Sequence, residues 1–259
     1  MSTILVTGAS GGIGQAVCLQ LARSRNRLVL AARNKQNLDE TLATLPSTSE
    51  PHIALPLDMG SDESVEAFGA AMEKSRIELD GVVLMPPQPH ADPNAMPEPE
   101  VWRGLFQTSF IGPLSTLKMA TARMRPDVAS GKRCKIVIIS GISSAQVMSN
   151  YATSNVLRTA WIGQAKTMAF VLGPQGIHIN TLSLGGTLAP RYRDGLARRA
   201  EAAGLTYEEK LTQEVDNVPL RKYGQPAEVA VAVEGLLSPF SDHMTGTNIL
   251  FDGGFTRAY

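Results

Sequence analysis

The chain has 259 residues, 43% of them hydrophobic and 19% charged, a length that fits one large α/β domain with a sizeable core or two small ones. Lys plus Arg and Asp plus Glu number 24 each, so no overall field draws in nucleic acid or an anionic membrane, and neither is an expected partner. No stretch reaches the roughly 18 apolar residues of a membrane span. Met1-Ser2-Thr3 leads straight into an apolar run without a basic leader, and the two cysteines, Cys18 and Cys134, read as free thiols of a cytoplasmic protein.

The first apolar run, 4–6, is followed by Thr7-Gly8-Ala9-Ser10-Gly11-Gly12-Ile13-Gly14 and then by an amphipathic helical pattern through Ala16, Val17, Leu19 and Leu21. Glycines at such a strand-to-helix turn let backbone N–H groups approach a pyrophosphate, with the helix N-terminus aimed at its charge. The same turn also serves as a tight βα connection that binds nothing. Further strand signals fall at 28–32, 53–57, 81–85, 136–140, 177–182 and 248–251, mostly continuous apolar runs separated by helical patterns. Continuous runs mean strands covered on both faces. The expected fold is therefore α/β, a single-domain Rossmann-like, doubly wound parallel sheet flanked by helices.

Two segments interrupt this rhythm. Residues 86–99 are rich in proline, and 185–219 are long and charged, with Arg191, Arg193, Arg198, Arg199 and Glu201 on helical spacing. His52, His90, His178 and His243 are scattered without the paired spacing of a metal site, so no metal is expected.

The Gly-x-x-x-Gly-x-Gly spacing from Gly8 to Gly14 resembles that of the short-chain dehydrogenase/reductase superfamily. So do Leu57-Asp58-Met59, Ile179-Asn180 before Gly185, the Gly224-Gln225-Pro226 turn and the closing Thr245-Gly246 to Asp252-Gly253-Gly254. The resemblance runs nearly end to end and implies one domain over 1–259, with a substrate lid at about 186–219. It implies that Gly8, Ser10, Gly12, Ile13 and Gly14 hold a nicotinamide dinucleotide and that Asp58 accepts from the adenine amino group. Asp58 also suits an ordinary helix cap. A carboxylate at the end of the second strand would repel a 2′-phosphate, but Ala31-Ala32-Arg33-Asn34 has none there and offers Arg33 instead, which implies NADP(H).

In the family a Ser orients the carbonyl, a Tyr gives the proton, and a Lys four residues after the Tyr supports it. Here Tyr151-Ala152-Thr153-Ser154-Asn155 puts an uncharged Asn at the lysine position. Counting back from Asn180 as in the relatives instead reaches Arg158, and Ser154 then falls at the family tyrosine position. Tyr151 stands seven residues before Arg158, spacing that a helix keeps on one face, and Ser140 lies eighteen before it. This resembles a Tyr-x6-Arg version of the Tyr-x6-Lys signature of the enoyl-acyl-carrier-protein reductases, with Tyr151, Arg158 and Ser140 catalytic and Arg158 also able to hold ribose hydroxyls. Gly141 leaves room for substrate beside Ser140, with Ser143 and Ser144 as alternative carbonyl partners. Tyr151 as a packing residue and Arg158 as an exposed helix arginine are the competing reading.

Two other family positions are changed: Met85-Pro86-Pro87-Gln88 stands for Asn-Asn-Ala-Gly, and Ser109 for the helix Asn that supports a water relay. The resemblance implies an NADP(H)-dependent oxidoreductase, a homotetramer as in its relatives, that reduces a small-molecule carbonyl or enoyl compound such as an acyl thioester. The alternative is a catalytically impaired relative that binds nucleotide or a partner.

Overall fold

The computed structural model describes residues 2–89 and 91–257; His90 lies outside them. The seven strands are β1 (Thr3–Thr7), β2 (Arg27–Ala32), β3 (Ile53–Pro56), β4 (Gly81–Leu84), β5 (Cys134–Gly141), β6 (Ile177–Leu184) and β7 (Asn248–Phe251). They form one parallel sheet in the order β3-β2-β1-β4-β5-β6-β7. The order reverses between β1 and β4, and ligands of such sheets bind at the carboxyl ends of the strands beside that switch point.

The helices are α1 (Gly12–Arg23), α2 (Lys35–Ala43), α3 (Asp62–Lys74), α4 (Pro99–Phe106), α5 (Gly112–Thr121), α6 (Ala152–Leu172), α7 (Pro190–Ala202), α8 (Tyr207–Glu214) and α9 (Pro226–Leu237). Two apolar layers sandwich the sheet. Alternation along β5 sends Ile136 and Ile138 into a core with Phe68 of α3, Leu117 of α5 and Trp161 of α6. Val137 and Ile139 enter the opposite core with Val17 of α1, Leu38 of α2 and Val229 of α9. At about 25 cal/mol per Å² of buried apolar surface, these two layers supply the main drive to fold.

Sequence patterning located all seven strands, with the longest misjudgement at β5 and β6, which run on to Gly141 and Leu184. Both extensions carry residues that frame the cavity described next. Among the described residues no helix is long and apolar enough to cross a membrane.

Candidate active site

Gly8 takes φ +62°, turning the chain sharply out of β1, and a Cβ on Gly14 would collide with the Gly8 carbonyl. The turn is thus a glycine cradle at the N-terminus of α1, with Pro190 of α7 packed against Gly12 so closely that a Cβ there would collide with its ring. A pyrophosphate fits this cradle, because only glycine allows so close an approach of backbone to ligand. Thr7 Oγ1 accepts from the Met85 amide at 2.7 Å and ties the cradle to the end of β4. Met85 then packs over Gly8, whose added Cβ would lie 3.3 Å from the Met85 Cβ.

Arg33 is exposed just past β2, where Asn34 caps α2 by accepting from the Asn37 amide at 3.0 Å. Asp58, just past β3, accepts from the Gly60 amide at 2.9 Å, and its own amide donates to Ser64 Oγ. Its carboxylate is therefore partly spent on its own turn, which leaves one oxygen for a ligand.

Ile13 of the glycine turn also lines a cavity of about 530 Å³ walled by Ser140, Tyr151 and Arg158 from β5 and α6, and by Tyr192 and Arg199 from α7. The three catalytic candidates are thus brought to one space, next to the cradle. Tyr151 is the residue before α6 rather than part of it: its φ of −133° is not helical, and its neighbour Ala152 donates to the Asp92 carbonyl at 3.0 Å. Helical i, i+7 geometry therefore does not align it with Arg158. The strand-like bridge to the 86–99 segment does.

Asn155 turns away from the cavity, donating to the Met148 carbonyl at 3.1 Å and accepting from the Met148 amide at 3.2 Å. It pins the loop that delivers Tyr151. Ser154 is fully buried and its hydroxyl has no partner among the described residues. Ser140 is also buried and unpartnered, but it faces the cavity wall, where a ligand would satisfy it.

Arg158 is partly buried. Its Nε donates to Gln88 Oε1 at 2.8 Å and its Nη1 to Ser143 Oγ at 3.4 Å. Burial pushes the guanidinium down from its ordinary value, and nearby Tyr151 pushes it partly back. The space beside Gly141, expected to admit substrate, is filled instead: a Cβ on residue 141 would overlap Arg158 Nη1. Ser144 is no carbonyl partner, because its hydroxyl hydrogen-bonds Ser183 Oγ at 2.9 Å in a network that includes Asn248. Gln88 and the tyrosines of the far wall escaped the sequence reading. Gln88 lay at a position where a glycine was anticipated, and nothing in the spacing of 185–219 singled out aromatic residues.

The expected relay position, Ser109, sits in a π-helical turn (Gln107–Ile111) and is buried. Its carbonyl accepts from Trp161 Nε1 at 2.8 Å, so that carbonyl is already engaged with an indole. The far wall is an ordered latch. Glu214 of α8 accepts from Arg199 Nε and Nη2, both at 2.9 Å, and from Tyr192 Oη at 3.0 Å. Tyr223 donates to the Glu214 carbonyl at 3.1 Å and meets Tyr192 edge to face. Burial raises the Glu214 carboxyl, but the bonds from Arg199 and Tyr192 outweigh it and hold it below its ordinary value.

A family model described as enoyl-(acyl carrier protein) reductase matches residues 8–256. The chain belongs to the short-chain dehydrogenase/reductase superfamily. Among curated relatives, a putative ketoacyl reductase 2 of granaticin polyketide synthesis from Streptomyces violaceoruber is 31% identical, covering 96% of this chain and 94% of that protein. NADPH-dependent reductase BacG from Bacillus subtilis is 25% identical over 99% of this chain and 98% of its own length. This short-chain dehydrogenase/reductase also resembles the NADPH-bound structure of a short chain oxidoreductase from Pseudomonas aeruginosa described as containing an atypical catalytic center. The TM-score is 0.84 at 25% identity, over 100% of this chain and 98% of the other. L-sorbose reductase from Gluconobacter frateurii shares the fold at a TM-score of 0.91 and 21% identity, over 100% and 97% of the two chains.

Proposed function

We propose that the chain is an NADP(H)-dependent oxidoreductase that reduces the carbonyl group of a small molecule, with Tyr151, Arg158 and Ser140 at the reacting end. The observation that carries this reading is the continuity of the glycine cradle and the Tyr151 cavity through Ile13. A dinucleotide with its pyrophosphate on Gly8, Ser10, Gly12, Ile13 and Gly14 would run its reactive end into that cavity. NADP(H) is favoured by the exposed Arg33, which offers a charge-assisted contact to a 2′-phosphate where a carboxylate would repel one. The NADPH-dependent reductases among the relatives support the same cofactor.

When bound, the dihydronicotinamide supplies the hydride. Tyr151 donates its phenolic proton to the substrate oxygen as negative charge develops there. Arg158, fixed positive beside it, stabilises the charge left on the phenol. Ser140 donates its unpartnered hydroxyl to the bound substrate or ribose. The 185–219 segment, held by Glu214, acts as a lid of a single domain and keeps water from the cavity.

The protein is read as a cytoplasmic homotetramer. Val156, Phe170 and Val171 are exposed along α6, and Gly163 on the same helix has open space around its Cα. Val231 of α9, Phe240 and Leu250 of β7 are also exposed, and apolar residues outside α6 suit a second kind of subunit contact.

The test is thermal shift with NADPH, NADP+, NADH and NAD+, followed by NADPH oxidation against ketones, sugars, and matched 3-oxoacyl and 2-enoyl thioesters. Stabilisation by NADPH with turnover of carbonyl compounds is expected. Turnover of enoyl thioesters alone would move the reading to enoyl reduction. Nucleotide binding without any turnover would favour a catalytically impaired, nucleotide-binding relative.

A further inference from the structure

Among the described residues, Arg158 is a cation without a counter-ion. No carboxylate among them pairs with it, and its hydrogen-bond partners are the neutral Gln88 and Ser143. The other cation of the cavity wall with a defined partner, Arg199, is by contrast neutralised by a two-point contact to Glu214. A guanidinium has five N–H donors, and two are used here, which leaves three on a group that lines the cavity. Withdrawing such a charge from water without a partner is costly, so the arrangement is completed by an anion.

The seating of the group is built in two ways. Glycine at 141 is what gives Nη1 its place, since a Cβ there would occupy the same space. Gln88 then fixes Nε from the opposite side, on the segment that bridges to Tyr151 through Asp92. The end of β5 thus presents a guanidinium where residue 141 would otherwise present its own side chain.

We propose that Arg158, seated against Gly141, is an oxyanion-binding group that contacts the substrate oxygen directly, rather than only supporting Tyr151 or the ribose. This deepens the reductase reading and rests on it for the identity of the oxygen. As hydride reaches the carbonyl carbon, the C=O π pair moves onto oxygen, Arg158 N–H groups donate to that oxygen, and the Tyr151 proton neutralises it. The tyrosinate regains its proton from solvent after the product has left.

Benzoate is a stable probe, because its carboxylate offers a charged sp² oxygen to the same donors. With the protein saturated in NADP+, benzoate titration by calorimetry should show binding to the wild type. Arg158→Gln and Gly141→Ser should each weaken it at least tenfold, the first by removing the donors and the second by displacing them. Arg158→Lys combined with Gly141→Ser, which vacates and refills the same space, should bind benzoate better than Gly141→Ser alone. Circular dichroism of each variant separates misfolding from loss of the site. Failure of benzoate to bind the wild type, or equal binding by the wild type and both single variants, overturns the proposal. Benzoate binding through Arg158 with no turnover of any carbonyl compound would instead sink the reductase reading and leave the oxyanion site standing.

Discussion

Arg199 of α7 and Glu214 of α8 meet through two parallel hydrogen bonds of 2.9 Å each, and this pair ties the cavity-lining helix α7 to α8. The Glu214 carboxyl is held below its ordinary value of 4.5, so its contribution is complete above that value and is lost as pH falls through the lower, folded one. Protection factors across 190–214, taken relative to intrinsic exchange at each pH, should therefore fall as the pH is lowered from neutral to below the ordinary carboxylate range. Glu214→Gln should exchange fast at both, with its KM for substrate raised severalfold. Exchange of this segment in Glu214→Gln that matches the wild type at neutral pH would rule out the latch.

Arg33→Ala should weaken NADPH by about 1.5–3 kcal/mol, roughly 10- to 150-fold, and NADH hardly at all. Titration calorimetry with both nucleotides gives the comparison. Equal losses would mean that Arg33 does not read the 2′-phosphate.

Tyr151→Phe should lower kcat at least tenfold, about 1.4 kcal/mol of barrier, with little change in melting temperature. Asn155→Ala should show the opposite balance. It removes two hydrogen bonds to Met148, about 1–3 kcal/mol of stability, while kcat falls less than in Tyr151→Phe. Abolished turnover in a stable Asn155→Ala protein would assign Asn155 to the chemistry.

Phe170→Glu places a charge on the exposed apolar stripe of α6. Light scattering should show a tetramer for the wild type, as proposed, and a smaller species for the variant. A wild-type protein that is already monomeric at micromolar concentration would refute the assembly.

The fold was legible because a parallel sheet buried on both faces writes most of its strands as continuous apolar runs; β6, with His178, Asn180, Thr181 and Ser183 among its apolar residues, is the exception. The cradle was legible for a related reason: Gly8 and Gly14 are dictated by backbone proximity, which spacing reports directly. The catalytic wall was less so. Tyr151 and Arg158 were paired on helical spacing, yet Tyr151 reaches the cavity through its bridge to Asp92, a long-range contact that local periodicity does not encode. Likewise the absence of a side chain at Gly141 reads as open room along the sequence, and only the fold reveals that an arginine seventeen residues later fills it.

The bond from the Trp161 indole to the Ser109 carbonyl bears on how this site can change. Both residues are buried, at 3% and 4% exposure, so the indole takes one of the two acceptor positions of a carbonyl that lies away from bulk solvent. A lysine introduced at 158 alone would regain the customary cation of the family without the water chain that serves it. A relay built through the Ser109 carbonyl would therefore have to share it with the Trp161 indole or displace that indole.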